Sequence, residues 1–261
     1  MYHVTSADGT EIAYGREGSG PAVVLVVGAF GDRNEPVTAG LAAQLAADFT
    51  VYRYDRRGRG DSGDTAPYAV EREIEDLRAV VSAAGGEAMV FGGSSGAILA
   101  LRADAAGVPI TRLAAFEPPF VTDPERPPLP TEKELTDLVN SGRRDLAIEA
   151  FLTRGADMPA DMVAGMRTQP FWPVMEAVAH TLAYDAAIVG EESVPVELLA
   201  SVTAPTLVLV GTASPVRMQT AAVAVTEAVP GARSQTLEGQ AHGQLDPAVL
   251  GEAVVAFFRA G

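Results

Sequence analysis

Phe91-Gly92-Gly93-Ser94-Ser95-Gly96-Ala97 is the stretch of this chain best suited to chemistry. Within it, Gly92 to Gly96 fits Gly-x-Ser-x-Gly, a sharp strand-to-helix turn that lifts a serine hydroxyl above a sheet. Such a turn forces strained backbone angles, and a Cβ two residues to either side of the nucleophile would collide with its surroundings. Ser94 is therefore the candidate nucleophile. Ser95 competes, but it would place Ile98 three residues on, where helix and strand must pack closely; Ser94 places Ala97 there. The helix-like run Ile98 to Ala103 follows, and its first N–H groups face any oxyanion that develops at the serine.

A serine needs a base, and only His3, His180 and His242 are available. His3 sits at a terminus. His180 lies in a helical block as a pocket or packing residue. His242 follows a strand at its C-terminal end, where open α/β sheets place their sites, and is the candidate base. With no cysteine there is no thiolate nucleophile, no cysteine metal site and no disulfide framework. Lys133 is the only lysine, so there is no choice of Schiff-base residue.

The elements that would position these residues alternate. Tyr2 to Ile12 reads as a hairpin around Asp8-Gly9-Thr10. Ala22 to Val27 is a β-branched run, as expected of a strand buried on both faces of a parallel sheet. Thr38–Ala47 reads as helix, Phe49–Tyr54 as strand and Val70–Ala83 as an amphipathic helix. Strands at Met89–Gly92 and Leu113–Phe116 bracket the serine turn and its helix. A proline-rich connector, Asp123 to Pro130, then opens a helical block that runs to about Ala200. Strand Pro205–Val210, helix Val216–Ala228, strand Ser234–Leu237 and helix Pro247–Arg259 complete the chain. A βαβα pattern interrupted by helices predicts a parallel sheet carrying a helical insertion.

The 261 residues suffice for one large domain with a sizeable core, and 48% hydrophobic content is globular rather than disordered. A formal charge of −15 repels nucleic acid, which is rejected as a partner. No apolar run reaches transmembrane length, so no membrane partner is expected. Met1 to Asp8 lacks the basic and apolar regions of a signal peptide, and the expected location is cytoplasmic.

The chain resembles the capped α/β hydrolases of the epoxide-hydrolase, dehalogenase and esterase-like kind over nearly its whole length. The resemblance rests on the first long strand running into Gly28-Ala29-Phe30-Gly31, the Asp55-to-Gly63 loop, the serine turn, and Leu237-Glu238-Gly239-Gln240-Ala241-His242. It implies an α/β fold of the α/β-hydrolase type: a mostly parallel central sheet flanked by helices with an inserted helical cap. The expected division is a core of residues 1–120 and 201–261 and a cap of residues 121–200. His242 matches the family's base position. The orienting acid usually follows the next-to-last major strand, but Gly211-Thr212-Ala213-Ser214-Pro215-Val216 holds no carboxylate, and Ser214 stands in the expected place.

Glu117 is the expected substitute. It follows Leu113-Ala114-Ala115-Phe116, a strand end from which some dehalogenases and lipases of this kind supply their acid. An interior strand end disfavours an unpaired carboxylate, and Pro118 and Pro119 fix the chain's exit direction. Asp185 and Asp246 are weaker candidates; Asp246 precedes Pro247 and reads as a helix N-cap. The resemblance assigns the oxyanion hole to the N–H groups of Ala29 and Ser95. Val27-Gly28 stands where many relatives have His-Gly. Phe30 is expected at the pocket mouth, with Trp172, His180 and Tyr184 of the helical block as further substrate contacts. The charged Asp55-to-Asp64 loop reads as a structural turn rather than a metal or phosphate site, since it lacks a lysine and a helix-start cradle.

The function expected is a serine hydrolase for a small apolar ester, lactone or related metabolite, with no cofactor and no metal. Dehalogenases and epoxide hydrolases of this fold need an aspartate at the serine turn, so Ser94 argues against both. Three alternatives stay open at this point: a lyase or cyclase of natural-product metabolism, a thioesterase or acyltransferase, and a receptor-like binder that turns over slowly. The oligomeric state is unassigned.

Overall fold

The structure is a computed structural model, and it describes residues 1–123, 125–190 and 193–260. Pro124 of the predicted connector therefore lies outside the described residues, as do Glu191 and Glu192 of the predicted cap. The strands are β1 (Tyr2–Thr5), β2 (Glu11–Gly18), β3 (Ala22–Val26), β4 (Thr50–Tyr54), β5 (Ala88–Gly93), β6 (Ile110–Phe116), β7 (Thr206–Gly211) and β8 (Arg233–Leu237). They form one sheet in the order β1-β2-β4-β3-β5-β6-β7-β8. β1 and β2 pair antiparallel, as do β2 and β4; every other pairing is parallel.

Between the first six strands lie α1 (Pro36–Leu45), α2 (Val70–Ala83) and α3 (Ser95–Ala105). From β6 to β7 the described elements are helical: α4 (Glu132–Asn140), α5 (Arg144–Ala150), a π-helical turn Phe151–Gly155, α6 (Ala160–Met166), α7 (Trp172–Ala177), a 3₁₀ turn Ala179–Thr181, α8 (Leu182–Val189) and α9 (Val196–Leu199). After them come α10 (Val216–Ala228) and α11 (Pro247–Arg259). Among the described residues, no helix is long and apolar enough to cross a membrane.

β3 shows how the sequence builds the layers. Successive side chains of a strand point to opposite faces. Val24 and Val26 join Leu77 and Val80 of α2, Ile98 and Leu101 of α3 and Val225 of α10 in one core. Val23 and Leu25 join Leu41 and Leu45 of α1 and Leu250, Val254 and Phe257 of α11 in the other. With both faces covered, β3 must be apolar at every position, which is why its run does not alternate. Each fully buried Val or Leu contributes about 1.5–3 kcal/mol of transfer free energy. A third core, built on Leu135, Ile148, Leu152, Val163, Trp172 and Leu182, belongs to the helical insertion.

Two strand boundaries lie three or more residues from the sequence reading. β2 runs to Gly18, beyond the hairpin expected at Tyr2–Ile12, because its second half pairs with β4 and needs no strong apolar pattern. β6 begins at Ile110, three residues before the expected strand.

The Asp55-to-Asp64 loop, between β4 and α2, carries a buried ionic assembly in its first half. Asp55 accepts from the backbone N–H groups of Arg33 and Asp61, each at 2.8 Å. Arg57 pairs with both oxygens of Asp76 at 2.7 and 2.8 Å. Arg56 pairs with both oxygens of Glu73 at 2.6 and 2.8 Å. These side chains are nearly inaccessible to water. Buried charges persist only when paired, so the loop's charge serves to hold the chain at the end of β4.

Candidate active site

Ser94 sits between β5 and α3 with φ 55° and ψ −126°, a conformation that L-residues rarely adopt. Its N–H donates to the Phe116 carbonyl at 2.9 Å, and its carbonyl accepts from Ala97 N–H at 2.9 Å. The flanking glycines are steric necessities. A Cβ on Gly92 would lie 2.5 Å from the Gly96 carbonyl oxygen, and one on Gly96 would lie 2.4 Å from that of Val26. The Ser95 hydroxyl turns elsewhere and donates to Asp185 at 2.7 Å.

His242 occupies the tip of a tight turn after β8. Ala241 and Gln244 exchange backbone hydrogen bonds on either side of it, at 3.3 and 2.9 Å. That turn is fastened to the loop after β7, where Ala213 N–H donates to the Gln240 carbonyl at 3.0 Å.

Glu117 follows β6 with φ 46° and is fully buried. Its Oε2 lies 2.7 Å from His242 Nδ1. Its Oε1 accepts from the Gly211 N–H at 2.8 Å and from the Ser214 hydroxyl at 2.5 Å. A carboxylate accepts, so Nδ1 donates and Nε2 is left as the proton acceptor of the imidazole. The Phe116 ring stacks near the imidazole, with centroids 6.3 Å apart and planes 16° from parallel.

Ser94 and His242 both line one cavity of about 410 Å³. Ala29, Phe30 and Ser95 line it as well. The helical insertion supplies Phe151, Leu152, Met158 and Val189 to its wall. Glu35 is the one carboxylate among the lining residues, and no lysine or arginine is among them. Its oxygens cap α1, accepting from the N–H groups of Val37 and Thr38 at 3.0 and 2.8 Å and from the Thr38 hydroxyl at 2.9 Å. Phe30, at φ 63°, meets the Phe151 ring edge to face at 5.7 Å.

Three expected substrate contacts, Trp172, His180 and Tyr184, do not line this cavity. Trp172 is 5% exposed and lies in the insertion's own core. Its indole N–H donates to Glu176 one helical turn on, at 3.1 Å. His180 Nε2 lies 3.5 Å from Asp64. Tyr184 donates to Asp64 at 3.0 Å and stacks on Tyr68 with centroids 3.8 Å apart. Both residues seat the insertion on the loop after β4; Tyr184 shares α8 with Ala186 and Val189, which line the cavity as Tyr184 does not.

Of the weaker acid candidates, Asp246 caps α11 by accepting from Ala248 N–H at 2.8 Å. Asp185 is fully buried between Arg56 and Arg59, at 2.8 and 2.7 Å. Its carboxyl is held below the ordinary range: burial would raise it, but Arg59, Arg56 and the Ser95 hydroxyl outweigh burial. The sequence reading missed this cluster. The only available signal was the density of arginine and acid in elements that must pack closely.

A family model described as "Alpha/beta hydrolase family" matches residues 23–257. A solved alpha/beta hydrolase from Sphaerobacter thermophilus DSM 20745 is 52% identical, covering 98% of this chain and 100% of that one, with a TM-score of 0.91. The enol-lactonase from Burkholderia xenovorans LB400 is 22% identical over 99% of this chain and all of that one, with a TM-score of 0.74. An esterase from Thermogutta terrifontis is 21% identical over 99% of this chain and 98% of that one, with a TM-score of 0.75. At those identities the likeness is one of fold. A Bacillus subtilis (strain 168) protein named uncharacterized hydrolase YraK is 38% identical over 97 residues, which are 36% of this chain and 35% of that protein. The match to the family model begins within β3 and ends within α11, so the chain belongs to the alpha/beta hydrolase family and is a hydrolase.

Proposed function

We propose that this hydrolase cleaves an uncharged, apolar carboxylic ester or lactone through an acyl-enzyme on Ser94. The observation that carries the reading is the 2.7 Å contact between Glu117 Oε2 and His242 Nδ1, beside a serine in the strained turn of the same cavity. Ser94 Oγ attacks the carbonyl carbon while His242 Nε2 takes its proton. The N–H groups of Ala29 and Ser95 stabilise the resulting oxyanion; each such donor is worth roughly 10²–10³ in rate. Collapse of the adduct expels the alkoxide, which takes its proton from His242. Water then attacks the acyl-enzyme with His242 as base, and the acid is released. Glu117 orients the imidazole and stabilises it when it carries two protons.

The substrate class rests on the cavity wall. Its lining is mostly apolar, and its one carboxylate is occupied in capping α1. An anionic acyl group would find no cation among the lining residues. Residues 121–200 are proposed as the cap that roofs this space.

Fluorophosphonate labelling with peptide mapping, together with turnover of p-nitrophenyl esters from acetate to decanoate, tests the reading. Labelling at Ser94, its loss in Ser94→Ala and saturable turnover of neutral esters are expected. Modification of Ser95 instead would reassign the nucleophile. Stoichiometric labelling without turnover of any ester or lactone would favour the binding-protein reading.

A further inference from the structure

The oxyanion hole proposed above depends on the direction of one peptide, Gly28–Ala29. Gly28 and Ala29 lie in the loop after β3, which by itself does not fix that direction. Among the described residues, the Ala29 N–H donates to no protein acceptor. The carbonyl of the same peptide is held: Arg59 Nη1 donates to the Gly28 oxygen at 2.5 Å. A trans peptide is planar, with its C=O and N–H pointing in opposite directions. Anchoring the oxygen therefore aims the N–H. A cation on the oxygen also polarises the peptide, which makes the N–H a stronger donor.

Arg59 is in turn held from two other sides. Its Nη2 donates to Asp185 Oδ2 at 2.7 Å, and its Nε donates to the Thr181 hydroxyl at 3.2 Å. Both partners belong to the helical insertion. Asp185 Oδ1 accepts from the Ser95 hydroxyl at 2.7 Å and from Arg56 Nη1 at 2.8 Å, and Arg56 Nη1 also reaches the Val27 carbonyl at 3.4 Å. One carboxylate from α8 thus ties together the residues that carry both oxyanion donors. Burial and the neighbouring Arg56 both lower the proton affinity of Arg59, and Asp185 is the main group that opposes them.

We infer that Arg59, with Asp185 as its counter-ion, is a positioning residue that aims the Ala29 N–H at the reacting carbonyl. The inference rests on the serine-hydrolase reading. It makes the insertion part of the oxyanion hole's support, not only a roof over the acyl group.

The test uses the full chain in four forms: wild type, Arg59→Met, Asp185→Asn and Arg57→Met. Arg57 shares the same loop and degree of burial but pairs with Asp76 and Asp8, away from the loop after β3. Active sites are counted by end-point fluorophosphonate titration. Then kcat and KM are measured on p-nitrophenyl butyrate, with the Ki of an aryl trifluoromethyl ketone. That ketone accepts the Ser94 oxygen at its carbonyl carbon, the carbonyl π pair becomes the oxyanion, and the serine proton passes to His242.

Arg59→Met should lower kcat per titrated site by about 10–100-fold, a share of the loss caused by deleting a donor outright. KM should stay within about threefold, and ketone affinity should fall by the same factor as kcat/KM. Asp185→Asn should lower kcat by roughly tenfold in the same pattern, and it decides the matter if Arg59→Met fails to fold. Arg57→Met should lower Tm while keeping kcat per site. Retention of kcat and ketone affinity within twofold in the Arg59 and Asp185 variants would reduce the cluster to a fold-holding role. An equal loss in Arg57→Met would do the same. A wild type that neither labels nor turns over would sink the serine-hydrolase reading itself, and the inference with it.

Discussion

Glu117 divides its carboxylate between two tasks. One oxygen meets His242, and the other is satisfied by the Gly211 N–H and the Ser214 hydroxyl. With all these contacts made, a fully buried carboxyl carries no unpaired oxygen, whose burial would otherwise cost several kcal/mol. Glu117→Gln keeps the shape but cannot stabilise an imidazolium and favours the wrong tautomer. Its kcat on a neutral ester should fall by about 10²–10⁴, with KM little changed. Ser214→Ala removes one of two donors to Oε1 and should lower kcat only about three- to tenfold. Steady-state kinetics on both variants decide this; equal losses would mean that Ser214 has a role of its own in the reaction. The placing of Glu117 at a buried strand end was legible because it follows an apolar strand and precedes two prolines. The hydrogen bond that explains Ser214 could not, since it joins loops 97 positions apart.

At the level of elements, the strands and flanking helices were legible because burial on both faces leaves continuous apolar runs, as in β3 and β7. The helical insertion was legible as helix but not by face. Aromatic residues at helical spacing serve equally well as a pocket wall or as a local core, and here Trp172 serves the core. Trp172→Ala should therefore cost about 3–5 kcal/mol of stability and leave the ranking of acyl lengths unchanged. Denaturant midpoints and an ester series on the same preparation test it; a changed ranking at unchanged midpoint would return Trp172 to the pocket. Phe151 lay beyond the sequence reading for a related reason. It opens a π-helical turn, and a turn of that kind shifts the register by which helical faces are counted.

Across the whole molecule, the Asp185 cluster links stability to pH. The folded carboxyl titrates below its ordinary range, so between the two values the unfolded chain binds more protons and stability rises with pH. The contribution is complete above the ordinary value of about 4 and is lost as pH falls further. Asp185→Asn should therefore unfold at lower urea than wild type near pH 7, and the gap should narrow below about pH 4. Urea midpoints across that range are the measurement; a gap that widens in acid would contradict it.

The same cluster has a bearing on how material enters and leaves. Lifting α8 would part Asp185 from Arg56 and Arg59 and leave Arg59 without a counter-ion in a dry interior, at a cost of about 3–5 kcal/mol. The opposite wall, from Phe151 to Met158, is held by apolar contacts and by more exposed polar pairs: Arg126 and Arg217 both meet Asp157, which is 41% exposed, and Arg217 also donates to the Ala156 carbonyl at 2.7 Å. Such surface pairs hold with about 0–1 kcal/mol each. The insertion is thus riveted along one margin by fully buried charges and held along the other by half-exposed pairs, and traffic should pass on the Phe151 side. Hydrogen exchange at neutral pH should find the α8 amides protected almost to the limit of global unfolding, and those of residues 151–158 exchanging orders of magnitude faster. The reverse order of protection would place the doorway at the charged margin.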